Sequence, residues 1–257
     1  MTAPVLVCTV GGAAQPIISA IRAATPAFVL SLVTADRINE DGKPQPGSCH
    51  QLDGPDSIPI RTGLDRTSFE HVTVPPDHPD NAFATVSETL RSLRARFPDN
   101  PLIADYTGGT KSMSAALLAA ALAIPGATLQ IMAGTRLDLV RVADGTERPF
   151  PIVPDFLLIE RQAALLRNAW KTFGYAEAAD GFATLQQRLA ARPDAPPDLT
   201  RRIADLAILS QAFAAWDRFD HATAARTFAD LGARHAPFLG RWRTSIDALL
   251  GGCPVCC

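Results

Sequence analysis

A chain of 257 residues with 47% hydrophobic content can bury a sizeable core, as one large domain or two modest ones. Its formal net charge of −2 argues against a nucleic-acid coat and against binding of duplex DNA, while leaving room for a local basic pocket that holds a small anion. No apolar run reaches the length of a membrane span, and five cysteines, three of them at the extreme C-terminus, suit a reducing compartment; a cytoplasmic location with no membrane partner is expected.

Ala3 to Val10 is a β-branched apolar run that ends in Thr9-Val-Gly-Gly12 and leads into a helical pattern through Ile17, Ile18, Ile21 and Ala24, a first βα unit. Gly11 and Gly12 sit where an open α/β sheet meets its ligand, although the turn does not match the GxGxxG dinucleotide fingerprint. Ala27 to Val33 reads as a second buried strand, with Thr34-Ala-Asp36 at its C-terminal end. From Arg37 to Pro59 the chain is rich in Gly, Pro, Asp and Asn, and is expected to be a long loop bordering a site. Phe69 to Val74 reads as a third strand. Asp80 to Phe97 reads as a helix with Phe83, Val86, Leu90 and Leu93 on one face and Arg91, Arg94 and Arg96 solvated on the other.

Pro101 to Ala123 is the stretch on which function turns. Pro101 to Asp105 is a brief apolar strand, Tyr106-Thr-Gly-Gly-Thr-Lys111 a turn, and from Ser112 an Ala-, Leu- and Met-rich helix follows, expected to be buried on most sides. Gly108 and Gly109 permit close backbone approach by a ligand, Thr107 and Thr110 offer hydroxyls, and Lys111 adds a compact charge. Lys111 is one of only three lysines against twenty-one arginines, so lysine is not the default cation of this chain. The turn is not a Walker A loop, since Thr110 stands where that pattern needs glycine. Two more strands, 127–133 and 137–142, are expected to flank Gly134-Thr-Arg136 as a hairpin. Alternating strands and helices predict an α/β fold with a mostly parallel, doubly wound, Rossmann-like sheet.

Three prolines between Pro149 and Pro154 read as a linker, so the chain is expected to divide into residues 1–150 and a helical part, residues 151–257. In the latter, Trp170 to Leu185 aligns without gaps on Trp216 to Leu231, 46 residues further on, with half the positions identical. That period predicts an all-α helical-repeat domain of stacked hairpins, tetratricopeptide or HEAT-like in character, with Trp170 and Trp216 as core knobs. Cys253-Pro-Val-Cys256 is a CxxC without a second ligand pair, since His221 and His235 are too isolated, and no metal site or cofactor is expected.

Thr-Val-Gly-Gly after the first strand, together with Asp-Tyr-Thr-Gly-Gly-Thr-Lys-Ser-Met at Asp105 to Met113, resembles the CARF domain, the Rossmann-like sensor of type III CRISPR antiviral systems, and most of all the large family in which this sensor precedes a helical part. The resemblance covers about the first 150 residues. It implies a homodimer that binds a cyclic oligoadenylate, such as cyclic tetra- or hexa-adenylate, in a cleft across its two-fold axis. Carried over by motif, Thr107, Gly108, Gly109, Thr110 and Lys111 line that cleft with Thr9, Gly11 and Gly12; Gln15 and Thr34 join them on position along the chain. Some such sensors cleave their own ligand by placing a 2′-OH in line with the scissile phosphate, for which Thr107, Thr110 and Lys111 are the candidate positioning groups.

The helical part departs from the resemblance. It holds no Arg followed four to six residues later by His, as a HEPN ribonuclease needs; Arg66 to His71 has that spacing but lies in the first half. It also has no lysine after Lys171 for a restriction-type nuclease core. A coupling or protein-interaction module, a degenerate effector, or the remnant of a longer protein are the readings open for it. A nucleotide-dependent metabolic enzyme on the same sheet is the remaining alternative.

Overall fold

The computed structural model describes residues 2–38, 41–134 and 146–233. The chain divides between Val153 and Pro154 into two compact units.

The first unit is built on β1 (Val5–Thr9), β2 (Phe28–Val33), β5 (Phe69–Thr73), β6 (Leu102–Asp105), β7 (Ala127–Ala133) and β8 (Arg148–Ile152), in the spatial order β5-β2-β1-β6-β7-β8. The first five run parallel, and β8 is antiparallel to β7. All five residues of β1 are buried, as a central parallel strand requires. Alternation along it sends Val5 and Val7 into a core shared with α3 (Pro79–Arg96) and α4 (Lys111–Ala121), and Leu6 and Cys8 into a second core with α1 (Gln15–Ala24) and Ile58 of α2 (Ile58–Thr62). Helices thus cover both faces of a Rossmann-like sheet.

In α4 the buried positions are Met113, Ala116, Leu117, Ala120 and Ala121, a strict i, i+3, i+4, i+7, i+8 stripe. Burial is therefore narrower than its apolar composition suggests: Ala115 is exposed and Leu118 and Ala119 are half-buried. In α3 the stripe is Ala82, Val86, Leu90 and Leu93, and Phe83, expected inside, is 44% exposed. Four-residue steps from Ala82 keep to the sheet-facing line that Phe83 leaves. Nor is the arginine face merely solvated. Arg94 bonds the carbonyls of Phe97, Pro98 and Asn100, and Arg96 lies over the rings of Phe28 and Phe97 at 4.5 and 5.0 Å while pairing with Glu70.

Residues 37–59 are not one open loop. They contain an antiparallel pair, β3 (Arg37–Ile38) and β4 (Pro44–Gln45), then a 3-10 turn over Ser48–Leu52 and the start of α2. The expected linker at Pro149 instead contributes β8, at the sheet edge, where a proline costs no ladder bond on its outer side. The strand expected at 137–142 lies outside the described residues.

The second unit holds α5 (Asp155–Ala169), α6 (Tyr175–Ala190), α7 (Pro197–Asp217) and α8 (His221–Ala233). The 46-residue repeat is visible in its backbone. Phe173 and Phe219 both turn left-handed, at φ 60° and 63°, between the helices of each hairpin. Each sits in the same pair of closing bonds: Phe173 and Gly174 donate to Trp170 and Ala169, and Phe219 and Asp220 donate to Trp216 and Ala215. Phe182 and Phe228, Leu185 and Leu231, and Ala178 and Ala224 are buried at matching places. Trp170 packs on Phe182 and Phe213, and its indole N–H donates to Ser210 Oγ at 3.1 Å, so this ring joins one hairpin to the next.

Candidate functional site

The chain adds β2 and β5 on one side of β1, then crosses to add β6 and β7 on the other. The strand order therefore reverses between β1 and β6, and in open α/β sheets such a reversal opens a crevice at the carboxyl ends of the strands. Both glycine turns emerge there, because the register pairs Cys8 with Asp105.

The two turns clasp each other. Thr9 is buried, and its Oγ1 donates to the Gly108 carbonyl at 2.6 Å; Ser114 Oγ donates to the same oxygen at 2.8 Å. A Cβ on Gly108 would stand 2.5 Å from the Thr9 carbonyl oxygen, and one on Gly11 would stand 2.8 Å from the Gly109 amide nitrogen. Gly109 adopts φ +79°. Loop-to-loop contact thus accounts for three of the four glycines. Gly12 has nothing within 4 Å of where a Cβ would be, so no packing contact explains its lack of a side chain.

Asp105 anchors the second turn from below. Its buried carboxylate accepts from the Thr107 amide at 3.0 Å and from Gln130 Nε2 at 2.9 Å. Burial pushes its pKa up, against the pull of those hydrogen bonds. Thr107 Oγ1 accepts from the Met132 amide at 2.6 Å, which ties the turn to β7. Thr110 caps α4, accepting from the Met113 amide at 3.3 Å and donating to the Pro76 carbonyl at 2.9 Å.

Beside these turns lies a cavity of about 520 Å³. Of the residues expected at the site, Gly11, Gly12, Thr34, Gly109 and Thr110 line it. Thr9 and Gly108 are bonded to each other and do not line it. Thr107 is turned to β7; Gln15 bonds Ser19 and Arg61 in the first turn of α1; Lys111 is exposed at the start of α4. These three do not line the cavity.

The facing wall comes from residues that no motif singled out: Arg37, Gln45, Gly47, Ser48, His50 and Gln51. Only the position of the Gly- and Pro-rich stretch after β2 signalled them. Thr34 and Ser48 fasten this wall reciprocally, each backbone amide donating to the other's hydroxyl at 3.0 and 2.9 Å, and Gln51 Nε2 reaches across to the Gly12 carbonyl at 3.0 Å. Arg37 brings a guanidinium, held by Gln45 Oε1 at 2.8 Å and by an ion pair with Asp77. Asp36 accepts from the Gly47 amide at 2.7 Å, which with His50 beside it holds its pKa below the ordinary carboxylate value. The cavity can therefore offer backbone N–H groups, hydroxyls, one guanidinium and the N-terminus of α4, a set suited to phosphate oxygens.

The architecture is similar to that of Csm6 from Enterococcus italicus bound to cyclic hexa-2'-fluoro-hexa-dAMP, with a TM-score of 0.50 at 13% identity over 97% of this chain and 68% of that one. The likeness is one of fold: a Rossmann-like sheet followed by a helical part. Two further structures resemble it less: Can2 from Sulfobacillus thermosulfidooxidans in complex with cyclic tetra-adenylate (TM-score 0.35, 18% identity, 51% of this chain and 31% of that chain), and a type III CRISPR defence DNA nuclease activated by cyclic oligoadenylate (TM-score 0.35, 17% identity, 82% and 34%). Neither a protein-family model nor a curated protein matches the sequence. Among the described residues no helix is long and apolar enough to cross a membrane.

Proposed function

We propose that this protein binds a cyclic oligoadenylate at the carboxyl edge of its CARF-fold sheet, as a homodimer, and so acts in type III CRISPR antiviral defence. The observation that carries the reading is the cavity at the β1/β6 reversal, bounded by the two clasped glycine turns and the N-terminus of α4. A cavity of about 520 Å³ suits a nucleotide-sized group, and a ring of four or six adenylates needs the same cleft supplied twice. Two copies related by a two-fold axis meet that need with one surface. The second unit then serves as the part that senses ring binding or touches a protein partner.

Cleavage of the ring by Thr107, Thr110 and Lys111 has weaker support. The hydroxyl of Thr107 is bonded to β7, that of Thr110 is bonded to Pro76, and Lys111 is off the cavity wall. The two activities separate in one experiment. Titration calorimetry with cyclic tetra- and hexa-adenylate is expected to give saturable binding of one ring per two chains, and chromatography of the same ring after long incubation in chelator is expected to return it intact. Absence of heat for both ring sizes overturns the binding reading, and linear products revive cleavage.

A further inference from the structure

One cluster of metal-ligating side chains among the described residues joins donor atoms of three kinds. The Asp36 carboxylate, Cys49 Sγ and a His50 ring nitrogen all lie within 4.8 Å of one another. No spaced motif announces it, because Asp36 follows β2 whereas Cys49 and His50 are neighbours in the 3-10 turn. The fold brings the two segments together rigidly. The Gly47 amide donates to Asp36, the Thr34 amide donates to the Ser48 hydroxyl while the Ser48 amide donates to the Thr34 hydroxyl, and the Cys49 amide donates to the Thr34 carbonyl at 3.1 Å. A Cβ at Gly47 would stand 2.2 Å from the Thr34 carbonyl oxygen, so this approach is open to glycine alone.

We propose that Asp36, Cys49 and His50 bind one Zn²⁺ ion at the edge of the cavity, leaving a fourth position open to water or a ligand oxygen. Thiolate, imidazole and carboxylate together select zinc over the hard cations that prefer all-oxygen sites. Metal-ligand bonds of about 2.0–2.3 Å in a tetrahedron set donors roughly 3.3–3.8 Å apart. His50 Nε2 now stands 2.8 Å from one Asp36 oxygen, and Cys49 Sγ stands 3.9 Å from the same oxygen, so both separations from Asp36 are within about half an ångström of what the ion needs. Binding releases the Cys49 thiol proton to solvent and leaves His50 neutral. Of the two described cysteines only Cys49 can serve: Cys8 is fully buried, and burial pushes its pKa up to about 12. Because His50 lines the cavity, the ion would hold the 47–52 wall against the end of β2. The site stands independently of the ligand proposed above.

The competing account is a plain Asp36–His50 ion pair beside an idle thiol. The test uses the full chain carrying Cys253→Ser, Cys256→Ser and Cys257→Ser, so that the terminal cysteines contribute nothing. Titration with Co²⁺ is expected to develop a thiolate-to-cobalt charge-transfer band that saturates at one ion per chain and is displaced by Zn²⁺. Cys49→Ser abolishes the band, and His50→Gln weakens Zn²⁺ binding at least tenfold by calorimetry, while circular dichroism of both variants stays unchanged. No band in the triple-serine chain, or a band that survives Cys49→Ser, overturns the proposal.

Discussion

Replacing Gly108 with alanine tests whether the two glycine turns are in contact. The new Cβ would stand 2.5 Å from the Thr9 carbonyl oxygen and 3.1 Å from the Gly11 nitrogen, both backbone atoms that no rotamer change can move aside. Ordinary contact begins near 3.4 Å, so the turns must part by almost an ångström. That movement stretches the 2.6 Å bond from Thr9 Oγ1 to the Gly108 carbonyl to the limit of a hydrogen bond. Overpacking of this kind costs about 1–3 kcal/mol, and the lost bond costs about 1 kcal/mol more. A total near 3 kcal/mol lowers the melting temperature by roughly 6–12 °C in a chain of this size. Gly12→Ala is the control, because its Cβ meets nothing within 4 Å and stability should change by less than about 0.5 kcal/mol. Differential scanning calorimetry of the two variants beside wild type reads the difference. If Gly108→Ala melts with wild type, or Gly12→Ala melts as low as Gly108→Ala, the clasp does not exist in solution.

Three further outcomes are expected. Asp105 has a raised pKa in the fold, so the native state holds its proton more tightly, and stability falls as pH rises from the unfolded carboxylate value through the folded one. Asp105→Asn removes that titration but weakens the bonds from Thr107 and Gln130; in urea unfolding its deficit against wild type should be largest at acid pH and shrink as pH rises, whereas a deficit that grows with pH contradicts the assignment. Phe219→Gly relieves a left-handed non-glycine residue that is 83% exposed and should stabilise the helical unit by about 1 kcal/mol in the same assay. Arg37→Ala removes the guanidinium on the cavity wall and should weaken ring binding about tenfold, the loss of one charge-assisted hydrogen bond, whereas Arg91→Ala on the exposed side of α3 should leave affinity unchanged in calorimetry.

The parallel sheet was legible because strands buried on both faces are short apolar runs bounded by turn residues, and β1, β2, β6 and β7 all have that form. The helical repeat was legible too, since equal burial at equal positions demands like residues. The cavity's far wall was not. β3 and β4 are two residues each, and the contacts that hold this wall, Thr34 with Ser48 and Gly47 with Asp36, join residues eleven to fourteen apart without periodicity. Prolines disguised β8, which an edge position permits. Side-chain direction was hidden as well: Thr107 and Thr110 carry the same hydroxyl three residues apart in one turn, yet the first points to β7 and only the second lines the cavity.

The central claim is that the cavity at the β1/β6 reversal holds a cyclic adenylate ring. Its most direct measurement is calorimetric titration of cyclic tetra- and hexa-adenylate into wild type and Gly12→Ala. The account predicts saturable binding of one ring per two wild-type chains and weakened binding to a Gly12→Ala chain of unchanged melting temperature, because Gly12 lines the cavity and an added methyl there would meet no protein atom within 4 Å. Equal affinity for both chains would contradict the location, and no binding of either ring by wild type would contradict the function.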